Sequence, residues 1–116
     1  MSARRRWGVP GALLFVLAPL TLAAVPPSPG SPGAALFQDH CGLCHAAGGT
    51  GTFMLARRLG TERSLLADRT DLSAQYVTQV VRHGLQSMPR MTRVELTDAE
   101  LAAIAAFLAG PKKPQP

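Results

Sequence analysis

The chain has 116 residues, two cysteines, ten prolines and a formal charge of +5, a length that holds one small domain at most. Three of its twelve Lys and Arg are Arg4, Arg5 and Arg6, and without them nine basic residues face seven acidic ones. A balance so near neutral implies no nucleic-acid partner.

The N-terminus reads as an export signal. Arg4, Arg5 and Arg6 form a positive segment, Gly11 to Leu22 an apolar run broken by Pro19, and Thr21-Leu22-Ala23 or Leu22-Ala23-Ala24 a small-residue cleavage site. Residues 1–23 are therefore expected to be a cleaved leader and the mature protein to be periplasmic. The alternative is a retained anchor, since Val9 to Val25 approaches the length that spans a bilayer; only then would the protein meet a membrane. Pro10, Pro19 and the small residues that follow argue for cleavage. Pro26 to Pro32 offers no hydrophobic side chain to bury, so residues 24–32 read as a linker, with the folded domain over 33–110.

From Gly33 the apolar positions Ala34, Leu36 and Phe37 keep helical spacing up to Cys41-Gly42-Leu43-Cys44-His45. Two thiols three positions apart on a helical turn can each add across one vinyl group of a haem, and the adjacent imidazole then reaches the iron. Covalent haem c held by Cys41, Cys44 and His45 is the reading this order of residues favours. A structural zinc site would need a fourth ligand from His40 or His83. A redox dithiol would follow a strand inside a βαβ unit, and no strand pattern precedes Cys41.

Ala46 to Thr52, with Gly48, Gly49 and Gly51, reads as a loop able to pass close to a bound ring. Phe53 to Asp68 suggests two short helical pieces separated at Gly60, the second capped by Thr61. Arg57, Arg58, Arg63 and Arg69 read as a solvated face, with propionate partners or a docking patch as the alternative. Ser73 caps a helix in which Tyr76, Val77, Val80 and Val81 form one stripe, and Gly84 stops it. Leu85 to Leu96 has no helical period. Thr97-Asp98-Ala99-Glu100 is a capping box, followed by Leu101, Ile104, Ala105 and Leu108 on one face. Gly110-Pro111 ends that helix, and residues 111–116 are expected to be a frayed tail.

No stretch alternates as a strand does, so the fold class is all-α. So short a domain has a small core, and a haem supplies an apolar disc for Phe37, Leu59, Tyr76, Val80, Leu101 and Ile104 to pack against.

The domain resembles the class I c-type cytochromes, small mono-haem electron carriers. Beyond the haem motif, Gly33 and Phe37 stand eight and four residues before Cys41, and Phe107 lies in the run AAIAAFL. Ser87-Met88-Pro89 followed by LTDAELAAIAAFL is similar to that family's methionine loop and last helix. The resemblance implies first and last helices that cross almost at right angles. It also implies one axial ligand from His45 and one from a methionine sulfur, with no catalytic residue. Met88 fits this role because it directly precedes Pro89 and lies eight before Leu96; Met91 is the other candidate. Met54 is expected in the core, and His83 in a polar position at a helix end.

One departure concerns the proline that many relatives carry after the motif, whose carbonyl receives the axial histidine's other ring proton. No proline occurs here between Cys44 and Pro89, so a backbone carbonyl within Ala46 to Met54 is expected to serve. Redox partners are implied: a dehydrogenase as donor, and an oxidase or another cytochrome as acceptor. The segments LARRLG to VVRHGLQSMP are similar to cytochromes that accompany dehydrogenases. An iron left without sulfur, as in a haem enzyme or ligand sensor, is the competing reading.

Overall fold

The computed structural model describes residues 30–112, and the expectations for the leader, for the linker up to residue 29 and for the last four residues lie outside the described residues. Four helices follow one another: α1 (Pro32–His45), α2 (Thr50–Leu59), α3 (Ala74–His83) and α4 (Asp98–Ala109). Single 3₁₀ turns at Thr61–Arg63 and Leu66–Asp68 join α2 to α3, and the only strand-like pairing among the described residues is the isolated bridge Leu85↔Met88. The all-α expectation holds.

The end of the expected linker is already helix. Ser31 accepts a hydrogen bond from the Ala34 amide at 3.3 Å, and Pro32 occupies the first turn, where its missing N–H has no intrahelical role to lose. Cys41 to His45 form the last turn of α1. The glycine loop after it is shorter than expected. Gly48 takes a φ of 81°, and α2 has begun by Thr50. Thr52 is buried with its hydroxyl donating to the Ala46 carbonyl at 2.8 Å, which folds α2 back against α1.

Gly60 ends α2 with a φ of 92°, and it, rather than Thr61, is the cap of the following turn. That turn is closed from its other end, where the Ser64 hydroxyl donates to the Thr61 carbonyl at 2.7 Å. Ser73 caps α3 by accepting from the Tyr76 amide at 3.1 Å, and Gly84 terminates it at a φ of 78°. The capping box of α4 is reciprocal: Glu100 N–H donates to the Thr97 hydroxyl at 3.3 Å, and Thr97 N–H to the Glu100 carboxylate at 2.8 Å.

α1 and α3 both pack on α4. Phe37, Leu96, Leu101 and Ile104 are almost wholly buried, each worth about 1.5–3 kcal/mol of apolar transfer. At Gly33 the backbones of α1 and α4 come so close that a Cβ would stand 2.2 Å from the Ala103 carbonyl oxygen. Phe37 and Phe107 complete this crossing, with ring centroids 5.8 Å apart and tilted by 47°. The tail is anchored further than expected. Lys112 donates to the Phe107 carbonyl at 2.8 Å with its ammonium 4.7 Å from that ring's centre, a cation at the C-terminal end of α4.

Candidate cofactor site

A cleft of about 970 Å³, open at its mouth, lies between the four helices and the segment after α3. Cys41 and His45, four residues apart on α1, project onto one helix face and both line it. Cys44 shares their turn at the protein surface, and both cysteines are free thiols. α2 contributes Gly51, Met54, Leu55 and Arg58, spaced three, four and seven apart along one face. From α3 comes the expected stripe Tyr76, Val77, Val80 and Val81; Phe37, Ile104 and Leu108 close the floor.

The remaining wall is a two-residue hairpin. Leu85 and Met88 exchange both backbone hydrogen bonds at 3.0 Å, with Gln86 and Ser87 at the tip. Gln86 has a φ of 55°, a left-handed conformation that costs a non-glycine residue about 1 kcal/mol or more. Its side-chain amide accepts a hydrogen bond from Arg58 of α2, so the strained tip is tied across the cleft. Met88 follows directly and lines the cleft with Cys41 and His45.

Met91 does not line it; it packs against the core cluster, its N–H donating to the Val81 carbonyl at 2.8 Å. Met54 is no core residue: 47% exposed, it lies on the cleft wall one turn beyond Gly51. His83 is exposed, with Nδ1 2.9 Å from the Gln79 carbonyl, and does not line the cleft. Two of the apolar residues expected around the ring are elsewhere. Leu101 is buried in the core and not on the wall, and α2 turns Leu55 rather than Leu59 to the cleft.

The arginines divide. Arg57 rests over the Phe53 ring and Arg63 pairs with Asp71 at the surface, as a solvated face should. Arg58 and Arg69 line the cleft instead. Arg69 is held by the Asp71 carboxylate at 2.8 Å, which keeps the Asp71 carboxyl well below the usual carboxylate range. The helical offset that brings Arg58 to the wall was present in the spacing from Gly51. Arg69 lies between elements and carries no such signal.

Burial pushes the Cys41 thiol up to about 11, the neighbouring Cys44 adding to the effect. Burial also lowers the His45 imidazole, favouring the neutral form that can act as a metal ligand. The expected carbonyl partner for His45 is missing, its Nδ1 being sealed from solvent without an acceptor or donor. The reason is local. The Ala46 carbonyl takes the Thr52 hydroxyl and the Gly49 amide, and the Gly49 carbonyl takes the Phe53 amide, leaving the ring facing Gly51. Two free thiols at this spacing, a neutral imidazole and an otherwise largely apolar cleft fit a haem joined through thioethers. Arg58 and Arg69 are the cations such a ring's carboxylates would require.

The family model described as cytochrome C oxidase, cbb3-type, subunit III matches residues 28–108, from before the Ser31 cap to the last buried residue of α4. No curated protein and no solved structure matches the chain.

Proposed function

Because the chain belongs to the c-type cytochrome family, with its cytochrome c-like fold and covalently attached haem c, we propose that it is an exported mono-haem electron carrier ligated by His45 and Met88. The haem, when bound, supplies a single electron that is gained and lost at iron. The protein's part is to hold that group rigidly, keep water from it and set its ligands. Cys41 and Cys44 would anchor it to α1, and His45 would ligate from the same helical turn. Met88 would ligate from the hairpin.

The observation that carries this ligand set is that Met88 lines the same cleft as Cys41 and His45, whereas Met91 and His83 do not line it. Met54 also lines the cleft, from α2 one turn beyond Gly51, and Met54→Ala should keep the sulfur-to-iron band that Met88→Ala removes. A thioether favours the ferrous state, and two protein ligands close the iron to exogenous gases and peroxide. Electron transfer is the family's usual work, and this coordination suits it.

The partner is a redox protein. The family description names an oxidase, which supports an oxidase as acceptor; a dehydrogenase subunit role remains the reading of the segment similarity alone. Leu43 and Cys44 are exposed at the attachment turn, and Tyr76 and Leu85 at the cleft's edge, which suits a small, transient interface there. Among the described residues no helix is long and apolar enough to cross a membrane. N-terminal sequencing of the exported protein tests leader removal near Ala23.

The ligand set is tested by optical spectra of protein matured in a host that attaches haem c, recorded oxidised, reduced, and reduced under carbon monoxide. The expected result is a c-type spectrum with a sulfur-to-iron band when oxidised, and no change under carbon monoxide. Met88→Ala should abolish the band and Met91→Ala should keep it. Ready carbon monoxide binding by the wild type would put the five-coordinate enzyme or sensor reading ahead.

A further inference from the structure

Between the hairpin and α4 the chain runs without helix through Pro89 to Leu96, yet it must hold Met88 at the cleft. Backbone bonds there are few: Met91 N–H donates to Val81 and Leu96 N–H to Thr92. One side chain supplies most of the rest. Arg82, on the last turn of α3, donates through one terminal nitrogen to the carbonyls of Met91 and Thr92, both at 3.1 Å. Through the other it donates to the Leu96 carbonyl at 2.9 Å and the Asp98 carboxylate at 2.7 Å. The side chain is only 13% exposed, and its Nε is sealed without a partner, so the fork lies inside the loop rather than on it.

We infer that Arg82 is the positioning residue of the methionine loop, the strut that holds Met88 at the cleft where it would ligate the haem iron together with His45. The inference rests on the proposed Met88 ligation. Upstream, the loop is tied at Gln86 by Arg58; downstream, its fixed point is the Met91 carbonyl, three residues past Met88, held by Arg82. Removing the guanidinium leaves three carbonyls and one carboxylate short of a donor at once. Lysine cannot replace it. A single ammonium on a flexible stem keeps the charge facing Asp98 but cannot span four acceptors arranged around a planar fork.

The test uses the ferric holoprotein and imidazole, which competes with a methionine sulfur for iron. If Arg82 holds the loop shut, Arg82→Lys and Arg82→Gln should each lose the sulfur-to-iron band at about tenfold lower imidazole than the wild type, because the open loop is more populated. Covalent haem content and far-ultraviolet circular dichroism report that the variants are folded. A folded Arg82→Lys protein that titrates as the wild type does overturns the inference, since a charge alone then suffices. Should neither variant fold, Asp98→Asn carries the test, expected to shift in the same direction by less; an unshifted titration there overturns it. A wild-type protein without the sulfur band, or a Met88→Ala protein that keeps it, overturns the ligand reading and this inference with it.

Discussion

Adding one methyl group at Gly33 tests whether α1 and α4 touch through their backbones. A Cβ built there stands 2.2 Å from the Ala103 carbonyl oxygen, 2.9 Å from its carbon and 2.9 Å from the Phe107 Cβ. The first two are main-chain atoms of α4 and cannot turn aside, so the helices must separate by about 1 Å, a strain of the kind that costs about 1–3 kcal/mol. Alanine recovers part of this through helix propensity, at most about 1 kcal/mol and less in the first turn. The net loss for Gly33→Ala is then about 2 kcal/mol, or a fall in Tm of about 10 °C for a domain of this size. Thermal unfolding of the holoprotein measures it, with Gly42→Ala on the same helix as the control. There the new methyl meets only the flexible end of Gln38, and the change should stay within about 1 kcal/mol. A Gly33→Ala protein melting within about 2 °C of the wild type would refute the close approach.

Gly51→Ala places a methyl 2.9 Å from His45 Cε1 and from the Cys44 carbonyl oxygen, so haem attachment should survive while the ferric spectrum and midpoint potential shift. Unchanged values would mean that α2 does not brace the imidazole. Thr97→Ala removes one side of the α4 capping box and should cost about 1 kcal/mol, read from denaturant unfolding. Acid should destabilise the fold through its surface carboxylates. Arg69 depresses Asp71, Arg93 then Arg82 depress Asp98, and the Thr97 hydroxyl depresses Glu100. Folded values below unfolded ones mean a contribution complete above the ordinary 3.8 of the aspartates and 4.5 of the glutamate, and lost as pH falls through the folded values. Tm should therefore hold steady down to about pH 5 and decline below about pH 4, modestly because the groups are exposed. A Tm that rises on acidification contradicts the assignment.

What the sequence discloses here is what short-range chemistry controls. Ser73, Gly84 and the Thr97-Glu100 pair act on backbone within four residues, so the limits of α3 and the start of α4 could be read directly. The five-residue motif is likewise local, as is the Met88-Pro89 pair. Misplacements arise where no side chain marks the boundary. α2 starts behind Gly49, which offers no capping group, and the turn after it is closed by Ser64 from its far end. The facing of α2 is set by how Thr52 folds it onto α1, which turns Leu55 inward in place of Leu59. The fate of the arginines was least legible. Nothing local separates Arg82, which bonds residues nine to sixteen positions away, from Arg57, which lies over Phe53.

The cleft draws its lining from Phe37 through to Leu108, nearly the whole length of the folded chain, whereas the attachment motif fits within a single helical turn. Capture and enclosure are thus separable in time. A chain cut after α3 would carry both thiols that add to the haem vinyl groups, yet would lack Met88, Ile104 and Leu108 and so have no closed wall. Contacts this distant in sequence carry a loop-closure cost and are expected to form slowly. Cys41 is half-buried in the finished fold, so haem attachment is expected to be faster on the unfolded chain than on the folded apoprotein, a comparison that haem incorporation with and without α4 would check. On that expectation the last helix acts as the latch on a haem already attached.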